Sequence, residues 1–286
     1  VARFLLPLAV RRRLWKVIGW YNDNRGSFFT RPKAERRLAI RRIIPRGVRR
    51  RLRTWLLKLL FPEHGGVPGP GWVEMGHWRR LQPISRDFGS DRGRPIDRYY
   101  IENFLQRNAD DVQGRVLELG DPSYTRRFGG SRVTQSDVLH AAPGNPVATV
   151  VGDLVTGAGV PREVYDCMIV TQGYHVIYHI HDAVRTTYAA LKPGGVLLAT
   201  LPCMSQISRP DMDLWGDYWR MTDAAARRLF GDVFGPENVT VEAYGNVLVG
   251  CAFLQGLAWQ ELTKEELNYK DRDQQVLITV RAVKKS

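Results

Sequence analysis

A chain of 286 residues with 44% hydrophobic side chains and a formal charge of +13 has enough apolar surface for one sizeable core plus an extension. Its longest apolar runs, such as residues 4–10, are broken by Arg, Lys or Pro well before the roughly 20 residues that span a bilayer, so no segment is expected to cross a membrane. Three scattered cysteines, Cys167, Cys203 and Cys251, argue against a disulfide framework or a zinc site and suit a reducing cytoplasm.

The positive charge sits at one end. Residues 1–60 carry 18 Lys or Arg against Asp23 and Glu35, a balance of +16, which leaves −3 for everything after residue 60. Within this end, Val48, Leu52, Trp55, Leu56, Leu59 and Leu60 recur at helical spacing with arginines between them, which predicts a basic amphipathic helix. A weaker stripe runs through Leu14, Trp15, Ile18 and Tyr21. Such helices lie on anionic membranes, or pack on the main domain or on a second subunit. The expected partners of residues 1–60 are therefore an anionic membrane surface or a second copy in a homodimer. The expected location is the cytoplasm, peripheral at the inner membrane face if the membrane is the partner. Gly65-Gly66-Val67-Pro68-Gly69-Pro70-Gly71 forbids a helix and marks a boundary between a basic helical region, 1–70, and a second domain, 71–286.

The second domain has a βαβ rhythm. A short apolar run, Gly114-Arg115-Val116-Leu117-Glu118-Leu119-Gly120, ends in an acid and a glycine, and strand ends of this kind are where open α/β sheets bind cofactors. Further strands are predicted over 132–138, 147–151, 166–171, 195–201, 238–244 and 275–283, with helices over 177–191 and 223–234. Alternation of this kind predicts an α/β fold built on a largely parallel sheet with helices on both faces.

Val116-Leu117-Glu118-Leu119-Gly120 resembles the first motif of the class I S-adenosylmethionine-dependent methyltransferases. Some seventy residues later, Leu191-Lys192-Pro193-Gly194-Gly195-Val196-Leu197-Leu198 resembles the turn that opens their fifth strand. Between them, Gly152-Asp153-Leu154 and Val164-Tyr165-Asp166-Cys167-Met168-Ile169-Val170 resemble the loop after the third strand and the fourth strand. The resemblance covers residues 94–286. It implies a Rossmann-like sheet of seven strands with the last one reversed, and a cofactor, S-adenosyl-L-methionine, leaving as S-adenosylhomocysteine, across the carboxyl ends of strands one to four. It also implies roles. Gly120 lets backbone approach the ligand, Glu118 lies near the methionyl ammonium, Asp137 accepts the ribose hydroxyls, Asp153 and Leu154 meet the adenine, and Gln172 lines the floor. Arg94-Pro95-Ile96-Asp97-Arg98 falls where the family lays a helix over the cofactor, which makes Arg98 and Tyr99 candidates to touch the methionine carboxylate or close the pocket, against the plainer reading that this helix merely covers the sheet. The chain departs from the family after Gly120, where Asp121-Pro122-Ser123-Tyr124 replaces the glycine-rich continuation, so the first crossover is expected to be short or irregular, with Gly129 and Gly130 taking part of the loop's role.

For the acceptor, Asp213-Leu214-Trp215-Gly216-Asp217-Tyr218-Trp219-Arg220 interleaves aromatic faces with acids and an arginine, a composition that suits a sugar ring. Trp215, Asp217, Tyr218, Trp219 and Arg220 are thus the predicted substrate residues, against the plainer reading that Trp215 and Trp219 anchor a loop in the core. A further resemblance, to single-domain methyltransferases of actinobacterial polysaccharide and secondary-metabolite pathways, favours O-methylation of a sugar or glycan. A hydroxyl acceptor needs a base, and His175, then His179, are the candidates, with His140 as a third. His179 and His181 lie two apart and do not share a helix face, so they do not argue for a metal. Two rival readings remain. A nucleic-acid methyltransferase would explain the basic end, but Thr171-Gln172-Gly173-Tyr174 lacks the Asn or Asp with two prolines and an aromatic of base-amino enzymes. The other rival is a non-catalytic membrane-surface or scaffold protein on a degenerate fold.

Overall fold

A computed structural model describes Val73 and residues 75–285. The expectations for residues 1–60 and for the 65–71 boundary lie outside the described residues. The chain divides between Arg79 and Arg80. Ahead of that point the described residues include one 3-10 turn, Gly76–Arg79.

The unit that starts at Arg80 is a seven-stranded sheet. In chain order the strands are β1 (Gly114–Leu119), β2 (Val133–His140), β3 (Val150–Val151), β4 (Tyr165–Thr171), β5 (Leu191–Pro202), β6 (Val239–Tyr244) and β7 (Leu277–Val283). Their order across the sheet is β3-β2-β1-β4-β5-β7-β6. Strands β1 to β5 pair in parallel, while β7 runs antiparallel to both β5 and β6. Seven strands with the last reversed is the arrangement the sequence resemblance implies. The central strands are apolar on both faces because helices cover both.

Alternation along each strand divides the core in two. On one face Leu117, Met168, Val170, Leu197 and Ala199 meet α2 (Ile180–Ala190) and α4 (Asp223–Phe234), through side chains such as Val184 and Phe230. On the other face Val116, Cys167, Ile169, Val196 and Leu198 meet α1 (Ile96–Arg107) and α5 (Val247–Leu254), through Ile101, Phe104, Leu105, Val249 and Phe253. Two short helices, α3 (Arg209–Leu214) and α6 (Lys264–Asn268), complete the set.

Local chemistry sets the helix ends. Thr222 caps α4 by accepting from the Ala225 amide at 3.3 Å, and Gly235, at φ +86°, ends it. Asn246 caps α5 through the Val249 amide at 3.1 Å, and Thr263 with Glu266 forms a reciprocal capping box on α6. The first crossover is irregular, as the sequence predicts. In place of a long helix stand a π-helical turn, Thr125–Gly129, and a 3-10 turn, Gly130–Arg132. Gly129 serves packing, since a side chain there would run into Val133 and Val112. No helix of the described residues is long and apolar enough to cross a membrane.

Candidate active site

The carboxyl ends of β1, β4 and β5 open into a cavity of about 660 Å³. Most of its lining comes in three groups, beside Asp121, Ser123 and Tyr124 of the loop after β1 and Asp87 and Ser90 ahead of the first helix. The sheet contributes Glu118 and Leu119 from β1, Thr171 and Gln172 from β4, Pro202 from β5, and His175 from the 3-10 turn that follows β4. The first helix and its approach contribute Arg94, Pro95, Asp97 and Arg98, joined by Phe88 and by Phe253 of α5. The segment after β5 contributes Ser205, Gln206, Ser208, Asp211, Asp217 and Arg220.

Gly120 continues β1 at φ +88°, and a Cβ there would have no atom within 4 Å, so the backbone turns beside open space. Glu118 is 3% exposed. Its Oε1 accepts from the Tyr124 amide at 3.1 Å and its Oε2 from the Thr125 amide at 2.7 Å, which moors the irregular crossover to the strand end. Burial pushes the Glu118 carboxyl up to about 7, against the pull of the Thr125 and Tyr124 amides. Gln172 takes φ +50°, which side chains other than glycine rarely adopt, held by its amide donating to the Thr200 carbonyl at 3.1 Å. Its Oε1 is buried with no hydrogen-bond partner among the described residues. A strained residue with an orphaned polar atom at the mouth of a strand is a site signal.

His175 is 7% exposed, and its Nδ1 also lacks a partner among the described residues. Its Nε2 lies 3.8 Å from Asp217 Oδ1. Asp217 is itself pinned. Arg220 grips both oxygens, at 2.5 and 2.8 Å, and the Ser208 amide donates to Oδ2 at 3.1 Å. Burial works to raise the Asp217 carboxyl, but Arg220 and the Ser208 amide hold it below the ordinary carboxylate range. Burial lowers the His175 pKa below the ordinary imidazole value; Asp217 and Asp211 oppose the shift and Arg220 adds to it. The backbone fixes the same pairing, since the Tyr218 and Trp219 amides both donate to the His175 carbonyl, at 2.9 and 3.2 Å.

The remaining predicted residues lie elsewhere. His179 is exposed at the start of α2, its ring edge-on to Tyr178. Asp137 sits three residues short of the end of β2, bonded to Arg115 at 2.7 Å and Thr149 at 3.1 Å, and does not line the cavity. Asp153 spends its carboxylate on the Val155 amide and the Thr156 hydroxyl, at 2.7 and 2.9 Å, and Leu154 is buried in the core. Tyr99 turns away, donating to Asn268 at 2.9 Å and packing on Trp259.

The aromatic cluster after β5 divides. Asp217 and Arg220 face the cavity, whereas Trp219 donates to the Ile177 carbonyl at 3.0 Å and stacks on Tyr178. Tyr218 packs edge-on against Tyr178, and Trp215 lies edge-on to His140. Trp219 thus packs on the turn that follows β4 and does not line the cavity. Among the cavity residues that sequence reasoning missed, Asp97 had a legible signal. It is an acid that shares, at spacings of four, seven and eight, the apolar face of Ile101, Phe104 and Leu105.

No known family profile matches the chain, and no curated protein matches it. Among solved structures, similarity extends to a SAM-dependent methyltransferase from Archaeoglobus fulgidus, with 11% identity and TM-score 0.44 over 65% of this chain and 94% of that one. It extends also to the N-methyltransferase NodS from Bradyrhizobium japonicum in complex with S-adenosyl-L-homocysteine, with 11% identity and TM-score 0.44 over 71% and 95%. A third similar structure is the [4+2]-cyclase SpnF, with 14% identity and TM-score 0.42 over 65% and 81%. Likenesses of this order leave the reaction to be read from the chain's own residues.

Proposed function

We propose that the chain is an S-adenosylmethionine-dependent methyltransferase acting on a hydroxyl of a small polar acceptor, with a sugar or glycan as the acceptor class its lining suits best. The observation that carries this reading is the strand-end cavity itself. At its β1 end the cavity lies beside the open backbone turn at Gly120, and it joins the strained Gln172 and a buried imidazole whose Nδ1 has no hydrogen-bond partner among the described residues. A cofactor with a polar amino-acid tail fits this lining, because Asp97 and Gln172 each present an oxygen without a hydrogen-bond partner among the described residues and Arg98 lines the same cavity.

When bound, that cofactor supplies an electrophilic methyl group on a sulfonium sulfur. The chain's residues bind, align and take a proton. Gly120, Gln172 and Arg98 would hold the cofactor, with Glu118 keeping the Tyr124 loop in place beside it. Asp137, Asp153 and Leu154 stiffen the strands and loops outside this cavity. His175 accepts the proton of the acceptor hydroxyl at Nδ1 while its Nε2 faces Asp217, and the imidazolium so formed is stabilised by that fixed carboxylate. On the acceptor side Ser205, Gln206 and Ser208 line the wall while bonding to chain carbonyls and to the Asp211 amide, and the Asp211 carboxylate is offered to a hydroxyl of the ring.

Calorimetry with S-adenosylhomocysteine is expected to show saturable binding; its absence would favour the non-catalytic alternative. A methyl-transfer screen over glycans, lipids and RNA is expected to label a glycan, and labelling of RNA alone would replace the acceptor with a nucleic acid.

The basic end is proposed to hold the enzyme at an anionic membrane surface. A chain beginning at Trp72 is expected to bind S-adenosylhomocysteine as the full chain does and to lose sedimentation with vesicles rich in anionic lipid. If this shortened chain fails to fold, residues 1–60 belong to the core, and the surface role falls.

A further inference from the structure

A surface helix normally carries polar side chains on the face it turns to water, and a helix that is apolar all round is normally covered on every side. Helix α5 reads Val247-Leu248-Val249-Gly250-Cys251-Ala252-Phe253-Leu254 and holds no charged side chain. Val249, Ala252 and Phe253 pack into the core. Val247, Leu248, Cys251 and Leu254 are exposed, Val247 by 61%. Spacings of three and four put these four on one face, so the helix turns an unbroken apolar stripe to water. Exposed side chains extend it at both ends. Asn246 donates from Nδ2 to the Tyr269 carbonyl at 2.9 Å, which brings Tyr269, 66% exposed, beside the start of α5. Gln206 donates from Nε2 to the Leu254 carbonyl at 3.3 Å, which brings the exposed Ile207 beside its end.

Size and charge decide what covers the stripe. Four side chains on eight residues cover far less than the roughly 800 Å² that each partner gives to a stable protein interface, so a second copy or a protein partner gains too little from it. A lipid surface asks less of any single contact, because apolar insertion and the attraction of cations to anionic headgroups add. Residues 1–60 supply the cations, with 18 Lys or Arg against Asp23 and Glu35. That segment is tethered at this helix. The chain that follows it reaches Ile84 and Ser85, whose amides both donate, at 2.8 and 3.1 Å, to the carbonyl of Gln255, the residue directly after α5. Leu81, three residues before Ile84, is fully exposed.

We infer that α5 is a second membrane contact, which inserts Val247, Leu248, Cys251 and Leu254 into the interface of an anionic bilayer while residues 1–60 engage the headgroups. The inference rests on the surface role proposed above for the basic end and adds a face to it. Because Phe253 of the same helix lines the cavity, this face sets the cavity beside the lipid surface.

The test uses the full chain with vesicles of phosphatidylglycerol and phosphatidylcholine, and with phosphatidylcholine alone as reference. An environment-sensitive dye on the Cys251 thiol, in a Cys203→Ala chain, is expected to shift to the blue with the anionic vesicles and to stay unmoved with the neutral ones. Val247→Glu combined with Leu254→Glu is expected to weaken sedimentation with the anionic vesicles about tenfold or more, since two apolar side chains leave the contact and two negative charges meet the headgroups. Cys251→Leu enlarges the stripe and is expected to strengthen binding, a gain that a misfolded variant does not give. If wild type sediments with the anionic vesicles while the dye stays unmoved or the double variant binds as tightly, the α5 contact is overturned and the surface role of the basic end stands. If wild type sediments with neither kind of vesicle, both are overturned. If light scattering without lipid finds a dimer that the double variant breaks, the stripe belongs to a second copy and the α5 contact is likewise overturned.

Discussion

Replacing His175 by alanine is expected to lower turnover by about 10² to 10⁴, the usual range for loss of a positioned base, while S-adenosylhomocysteine binds with nearly unchanged affinity. The expectation follows from where the ring sits. Its Nδ1 is buried without a partner among the described residues, its Nε2 faces a carboxylate that three donors hold in place, and its carbonyl ties down the segment that carries that carboxylate. The pH profile supplies a second readout. The ring must be neutral to accept a proton, so turnover in wild type rises with pH through the pKa of His175. Burial puts that pKa below the ordinary imidazole value. The acidic limb should therefore lie lower than for an exposed histidine and disappear in the alanine variant. Asp217→Asn should move the limb further down, because it removes a group that favours the imidazolium. Full turnover in His175→Ala would assign the ring to packing, and Asp211 would become the next candidate base.

Glu118→Ala is expected to cost about 2 to 5 kcal/mol of stability, because it leaves the buried Thr125 amide and the half-buried Tyr124 amide without their acceptor. Denaturant titration measures this as a lower midpoint at constant slope. The wild-type side chain also carries a pH dependence of definite sign. Its carboxyl stands at about 7 in the folded chain against an ordinary 4.5, with burial as the largest cause. Between those values the folded state holds a proton that the unfolded chain has released, so this contribution is fully present below about pH 4.5 and is lost as pH rises through about 7. Glu118→Gln is expected to flatten that slope while sacrificing one amide bond, since its NH₂ cannot accept. A midpoint unmoved by Glu118→Ala would mean that the crossover amides find water instead. The loop would then not depend on this carboxylate.

How much of this was legible beforehand depended on how local the signal was. The helix predicted over 223–234 is α4 to the residue, because its limits are written in neighbouring side chains: Thr222 caps one end and Gly235 breaks the other. Strands β1, β4 and β5 were visible as apolar runs because both faces of the sheet are covered, and their order of appearance between the Gly120 strand end and the Lys192-Pro193-Gly194 turn implied the topology.

What the tertiary structure alone decided was which way side chains face and what surrounds them. The register sets Asp137 beside Leu117, and β2 runs on to His140, so an acid predicted at a strand end sits inside the strand against Arg115. His175 and His179 are four apart, yet a 3-10 turn ends at Val176 and α2 begins only at Ile180, so no common helix carries both. The segment 213–220 presents Asp217 and Arg220 to the cavity and turns Trp219 to the core, a division that spacing cannot express because it depends on contacts with Ile177 and Tyr178, some forty residues away. Asp97 was present in the sequence as an acid on an apolar stripe. Its meaning came only with burial, because a carboxylate in water has no unmet need, whereas one enclosed between α1 and the strand ends requires a partner.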